Sequence, residues 1–112
     1  MTPYEIPNLR FSLVAKEDIA QHALVGVDTT GQAINALAAT AVLGAAVDAA
    51  KAGQPIAVAD GIVMATASAA ITAGNYVSGG TLGKATKSTN ATNVVALTSA
   101  TAADELVTVK IN

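Results

Sequence analysis

The feature that most constrains this chain is an internal repeat: residues 19–50, moved forward by 52 positions, fall on residues 71–102. Ile19, Val25, Thr29, Gly31, Ala33, Ala39, Thr40, Val42 and Ala50 then coincide with Ile71, Val77, Thr81, Gly83, Ala85, Ala91, Thr92, Val94 and Ala102. Alanine falling on alanine explains part of the match, but the order of features is more telling. Each copy runs from an apolar pair (Leu24-Val25, Tyr76-Val77) through a glycine-containing turn to a second apolar cluster (Val42-Leu43, Val94-Val95) and ends in an alternating strand. The copies drift by one residue at the end, where Ile56 matches Val107 at a shift of 51. A repeated pattern specifies architecture before chemistry, because each unit buries its apolar face against a neighbour.

Residues 1–8 contain Pro3 and Pro7, which fix φ and favour extended backbone in the residues before them. They read as an extended N-terminal arm, and Tyr4, Ile6 and Leu9 supply apolar groups able to dock. Residues 9–14 alternate, placing Leu9, Phe11 and Leu13 on one strand face. Residues 24–27 and 32–36 flank Asp28-Thr29-Thr30-Gly31 and predict a hairpin, with a counterpart over residues 76–86. Alanine alone predicts helix over residues 36–52. The equivalent residues 88–101 are rich in Thr, Asn and Val, which favour loop and strand. The repeat therefore predicts strand at 42–47 and 94–98, with at most a short helical turn at 48–52. Residues 57–65 read as strands on both sides of a kink or turn at Asp60-Gly61, and Ala73-Gly74-Asn75 as a turn. The expected fold class is mainly β: a small barrel or sandwich built from two similar units, 19–59 and 71–111, in a single domain spanning 9–112.

Hydrophobic residues make up 52% of the chain but aromatics only 3%, so the core must be thin. Such a core favours association with other copies or partners. The chain has no cysteine, which excludes disulfides and thiolate metal sites. Six Lys and Arg, scattered from Arg10 to Lys110, form no basic patch, so no nucleic acid is expected as a partner. The N-terminus lacks the basic start and apolar stretch of a secretory signal, and the alanine-rich stretch 33–46 is too short to span a bilayer.

Acid–base catalysis requires titratable groups brought together. His22 is the only histidine and has no second His or Cys to share a metal; it reads as a surface or capping residue. The neighbours Glu17-Asp18 and Asp104-Glu105 point to opposite faces if on strands. The run from Gly79 to Lys84 fails as a phosphate loop in its glycine spacing and because Ala85 follows the lysine. Asn90-Ala91-Thr92 fits a glycosylation acceptor only in a secreted chain. Lys84 lacks the neighbours of a carrier lysine. No enzyme activity, cofactor or metal is expected.

The runs Val42-Leu-Gly-Ala-Ala-Val47, Asp48-Ala-Ala-Lys-Ala-Gly-Gln54, Pro55-Ile-Ala-Val-Ala-Asp-Gly-Ile-Val63, Ala70-Ile-Thr-Ala-Gly-Asn-Tyr-Val77 and Leu106-Val-Thr-Val-Lys-Ile111 resemble the head decoration, or capsid cement, proteins of tailed phages. The resemblance covers residues 19 to 112. In the second copy Ala96 stands, at the shift of 52, where the first has Gly44. The resemblance implies a structural virion protein, made in the host cytoplasm, that binds the outer surface of an assembled head and stabilises joints between major capsid subunits. Implied partners are the major capsid protein and neighbouring copies, a trimer being one arrangement that fits. The candidate capsid contacts, read from the composition of the arm, are Pro3, Tyr4, Ile6, Pro7, Leu9 and Arg10. Another structural or adhesive β protein, such as a fibre or surface-layer component, is the alternative.

Overall fold

The computed structural model describes residues 5–112, with the backbone alone for residues 6–9. Among the described residues nine strands follow in order: β1 (Ile6–Val14), β2 (Leu24–Val27), β3 (Ala33–Asn35), β4 (Gly44–Ala46), β5 (Pro55–Thr66), β6 (Val77–Ser78), β7 (Thr86–Lys87), β8 (Val94–Ala96) and β9 (Leu106–Ile111). A 3₁₀ turn at Thr81–Gly83 is the helical element among the described residues, whereas residues 48–52 form bends and a bridge. The protein is mainly β, its larger sheet curled into a half-barrel.

That sheet has the order β3-β2-β4-β5-β9-β8, and β1 also pairs with β5. The long strand β5 organises it. β1 runs antiparallel along one edge from Val14↔Pro55 to Ile6↔Ile62. The other edge is shared end to end: β4 pairs at Val58 and Ala59, then β9 from Gly61 to Thr66. The expected break at Asp60-Gly61 is thus a bend within one strand, at which Gly61 adopts φ 91 and the partner changes.

Hydrogen bonding repeats along the chain. Lys16 N donates to Ala33 O and Ser68 N to Ala85 O; Ile19 N donates to Ala50 O and Ile71 N to Ala100 O. Val25 pairs with Asn35 as Val77 does with Lys87, and Leu13 with Ile56 as Ala65 does with Val107. The bonded units are residues 10–59 and 62–110, with β5 ending the first and opening the second. The equivalence is 52 positions as far as Asn35 and Lys87. It becomes 50 at β4 and β8, because Leu24↔Ala45 corresponds to Tyr76↔Val95, and returns to 51 at the end. Gly44 therefore corresponds to Val94, and Ala46 to Ala96, which corrects the match of Gly44 with Ala96 and of Val42 with Val94.

The same equivalence organises the core. One cluster holds Ile19, Val25, Ala33, Ala50, Ile56 and Val58. Their counterparts Ile71, Val77, Ala85, Ala100, Val107 and Val109 all lie in the other. Ile19, Leu24 and Ile56 are the largest fully buried side chains among the described residues. β4 consists of Gly and Ala, poor strand formers, yet is held extended because β2 and β5 pair with it on either edge.

Candidate functional site

Among the described residues, one strand edge left open by this topology is the outer edge of β1. Ala15 N donates to Gln54 O at 2.9 Å and Gly53 N to Ala15 O at 2.7 Å, so the polar backbone groups of Ala15 face the β5 side. The two-residue period of a strand then turns those of Phe11 and Leu13 the same way, and those of Arg10 and Ser12 and the Val14 N–H outward. Among the described residues no strand pairs with that edge at Arg10 and Ser12, while β3 meets its far end, where Ala33 forms a parallel bridge with Ala15 and accepts from Lys16 N. The side chains of Arg10, Ser12 and Val14 are exposed, while Phe11 and Leu13 pack on the core. Pro7, the register shift between Pro7 and Arg10, and the charge of Arg10 are features that discourage indiscriminate edge pairing.

Of the candidates read from the sequence, Pro3 and Tyr4 lie outside the described residues. Ile6, Pro7, Leu9 and Arg10 all belong to β1, with Ile6 opposite Ile62, Pro7 opposite Gly61 and Arg10 opposite Ala59. Strand structure thus begins three residues before the expected position, because the far half of β5 offers Gly61 and Ile62 as pairing partners. Glu5 also reaches back, its Oε1 accepting a bond from Met64 N at 3.3 Å. Ser12 and Val14 lie on the same edge beyond these candidates, and no local sequence signal marks them, since an edge is defined by the absence of a neighbour.

Several of the titratable groups hold turns. His22 sits at φ 67, the position that Gly74 fills in the second unit, with its backbone N–H bonded to Ala46 O. Glu17 Oε2 accepts from Asn35 Nδ2 at 2.6 Å, and Asp18 Oδ1 from Ala52 N at 3.0 Å, so these neighbours serve different loops. Glu105 accepts from the backbone and hydroxyl of Thr101, which lower its carboxyl pKa. Lys84 Nζ meets Asp104 at 2.7 Å. Asp28 accepts bonds from the Thr30 hydroxyl and backbone and from Gln32 N, and pairs with Lys16 at 3.0 Å. The Thr30 hydroxyl, and next Lys16, hold its carboxyl well below the usual carboxylate range. Among the described residues no three His, Asp or Glu side chains converge as metal ligands, and no helix is long and apolar enough to cross a membrane. An open depression of about 510 Å³, lined by Ile19, Ala20, Ala50, Lys51 and Leu82, has a mainly apolar wall.

The arrangement offers strand pairing and apolar contact. A family model described as phage cement protein matches residues 5–111. The chain belongs to the phage cement protein family. It is accordingly a structural protein of the phage capsid and not an enzyme. The crystal structure of the head fiber gp8.5 N base of bacteriophage phi29 superposes with a TM-score of 0.78 over 93% of each chain at 20% sequence identity, which shows a shared fold. No curated protein matches the sequence. The family match extends the resemblance seen in the sequence from residue 19 back to residue 5, and so takes in β1.

Proposed function

We propose that this cement protein binds the outer surface of an assembled phage head and stabilises the joints between major capsid subunits, with its N-terminal segment through Arg10 as the contact. The observation that carries the reading is the open, exposed edge of β1 in a chain of this family. Pro3 and Tyr4 ahead of β1, and Ile6 and Pro7 at its start, are residues suited to an extended contact, and a neighbouring subunit's edge can add to a strand by main-chain hydrogen bonds. Binding that requires two subunits to stay together opposes their separation by mass action, and many copies on one head add avidity. The fold likeness to a head-fibre base supports a second reading, in which the domain seats a fibre on the head instead of clamping subunits.

The test is co-sedimentation with undecorated heads, followed by heating of the heads. A deletion of residues 2–4 leaves β1 whole, whereas one of residues 2–8 would strip pairing from β5. The truncation and Arg10→Glu should each weaken head binding about tenfold or more, a loss of about 1.4 kcal/mol. Saturated wild-type heads should withstand higher temperature than bare ones. Unchanged occupancy for both variants would sink the contact. Binding without any gain in head stability would favour the fibre-seat reading.

A further inference from the structure

The joint between the two units within the chain is a template for a joint between chains. In it the first unit presents His22, Leu24 and Val42, and the second receives them with Thr66, Gly79 and Asn93. Thr66 N donates to His22 O at 3.2 Å, and Asn93 Nδ2 to Val42 O at 2.8 Å. Gly79 lies against the backbone of Ala36, and Leu24 is fully buried in the cluster dominated by the second unit. A chain of two units has one presenting face left over on the second unit and one receiving face left over on the first. The hydrogen-bonded equivalence identifies them: Gly74, Tyr76 and Thr92 would present, and Val14, Val27 and Leu43 would receive.

These leftover faces carry several of the exposed apolar side chains. Tyr76 is 43% exposed where its counterpart Leu24 is 0%, and Val14, Val27 and Leu43 are 46%, 37% and 36% exposed. Of the seven large hydrophobic residues exposed among the described residues, these four fall on the two faces. The backbone agrees, because Thr66 N donates to His22 O in the internal joint while its counterpart Val14 N points outward from β1, beside the bridge between Ala15 and Ala33.

We infer that copies of this chain associate head to tail, with Tyr76 of one copy packing on Val14, Val27 and Leu43 of the next. The occupant is a second copy, because homologous surfaces already mate inside the chain. The interface is heterologous, each copy using two different patches, so it forms rings where the rotation closes. The joint between chains is wider than the internal one: a Cβ at Gly79 would run into the backbone of Ala36, and Val27 occupies that position. The extra width is what an aromatic ring opposite aliphatic side chains fills. The interface uses the Val14 end of the same strand β1, beyond Arg10, where the segment assigned to the capsid ends, and it stands whether or not that assignment does.

The experiment is sedimentation velocity on the full chain over a range of concentrations, with Tyr76→Glu, Val27→Glu and, outside both faces, Leu106→Glu. The wild type should associate with increasing concentration. The first two variants should weaken association about thirtyfold or more, as expected for truncating a central anchor, and Leu106→Glu should behave as wild type. Mixing Tyr76→Glu with Val27→Glu is the decisive arm. Each retains the face the other lacks, so a head-to-tail joint yields a one-to-one dimer that grows no further. A wild type that stays monomeric at every concentration overturns the inference, as does a mixture that stays monomeric, which an interface using one shared patch would give. Circular dichroism checks the fold, and Tyr76→Ser and Val27→Ser replace any glutamate variant that loses the wild-type spectrum.

Discussion

Gly31 and Gly83 occupy equivalent turns, 52 residues apart, and both have positive φ, 83° and 72°. They differ in what surrounds them. A Cβ built on Gly31 meets nothing within 4 Å, while one on Gly83 would lie 2.8 Å from Leu24 O, 3.0 Å from Asn35 Oδ1 and 3.1 Å from Ala23 Cβ. None of these can retreat cheaply. Leu24 O accepts the Ala36 N–H, and Asn35 is tied by its Nδ2 to Glu17 Oε2 at 2.6 Å and to Asp18 O at 3.1 Å. Gly31→Ala should therefore cost only the left-handed backbone term, about 1 kcal/mol. Gly83→Ala adds overpacking of about 1–3 kcal/mol, for a total of about 2–4 kcal/mol. Urea denaturation at one low protein concentration, with the m-value checked for constancy, measures both. In thermal terms the expected falls are about 4 °C and about 8–16 °C. Equal losses would refute the claim that Gly83 is packed into the joint between the units, and a neutral Gly31→Ala would refute the backbone term.

Ile19→Ala and Ile71→Ala remove equivalent side chains, each 2% exposed, from the two core clusters, and each should cost about 2–5 kcal/mol in the same denaturation assay; a loss under about 1 kcal/mol for either would mean that its cluster is not packed as described. The pH dependence of stability should carry a contribution from Asp28, whose folded pKa lies below its unfolded value, so that its contribution is present above about pH 4 and is lost as pH falls toward the lowered folded value. Asp28→Asn should flatten that acid limb of the melting temperature against pH, leaving the same-signed contribution of Glu105; parallel limbs for variant and wild type would count against the Asp28 network.

Much of the fold is legible locally. The alternation of residues 9–14 and 106–111 and the turns at Asp28–Gly31 and Gly79–Gly83 all correspond to observed elements. Helix propensity over residues 36–52 yields to the pattern of the second copy, and β4 is indeed extended, as paired edges override alanine's preference. The candidate site was half legible. Pro3, Tyr4 and their neighbours attract notice by composition, but Ser12 matters only because no strand lies beside it among the described residues. Tyr76 looks like ordinary strand material until its counterpart Leu24 is seen to be buried.

The sequence by itself carried the recurrence of turn glycines and apolar pairs and, through their spacing, the mainly β fold class. Tertiary structure alone decided the register between the two units. In a stretch as rich in alanine as residues 36–50, sliding the match by two positions changes little in the local apolar pattern, and only inter-strand hydrogen bonds distinguish a shift of 52 from one of 50. It also decided that β1 begins at Ile6 and that β5 serves both units, since each depends on partners about fifty residues away in the chain.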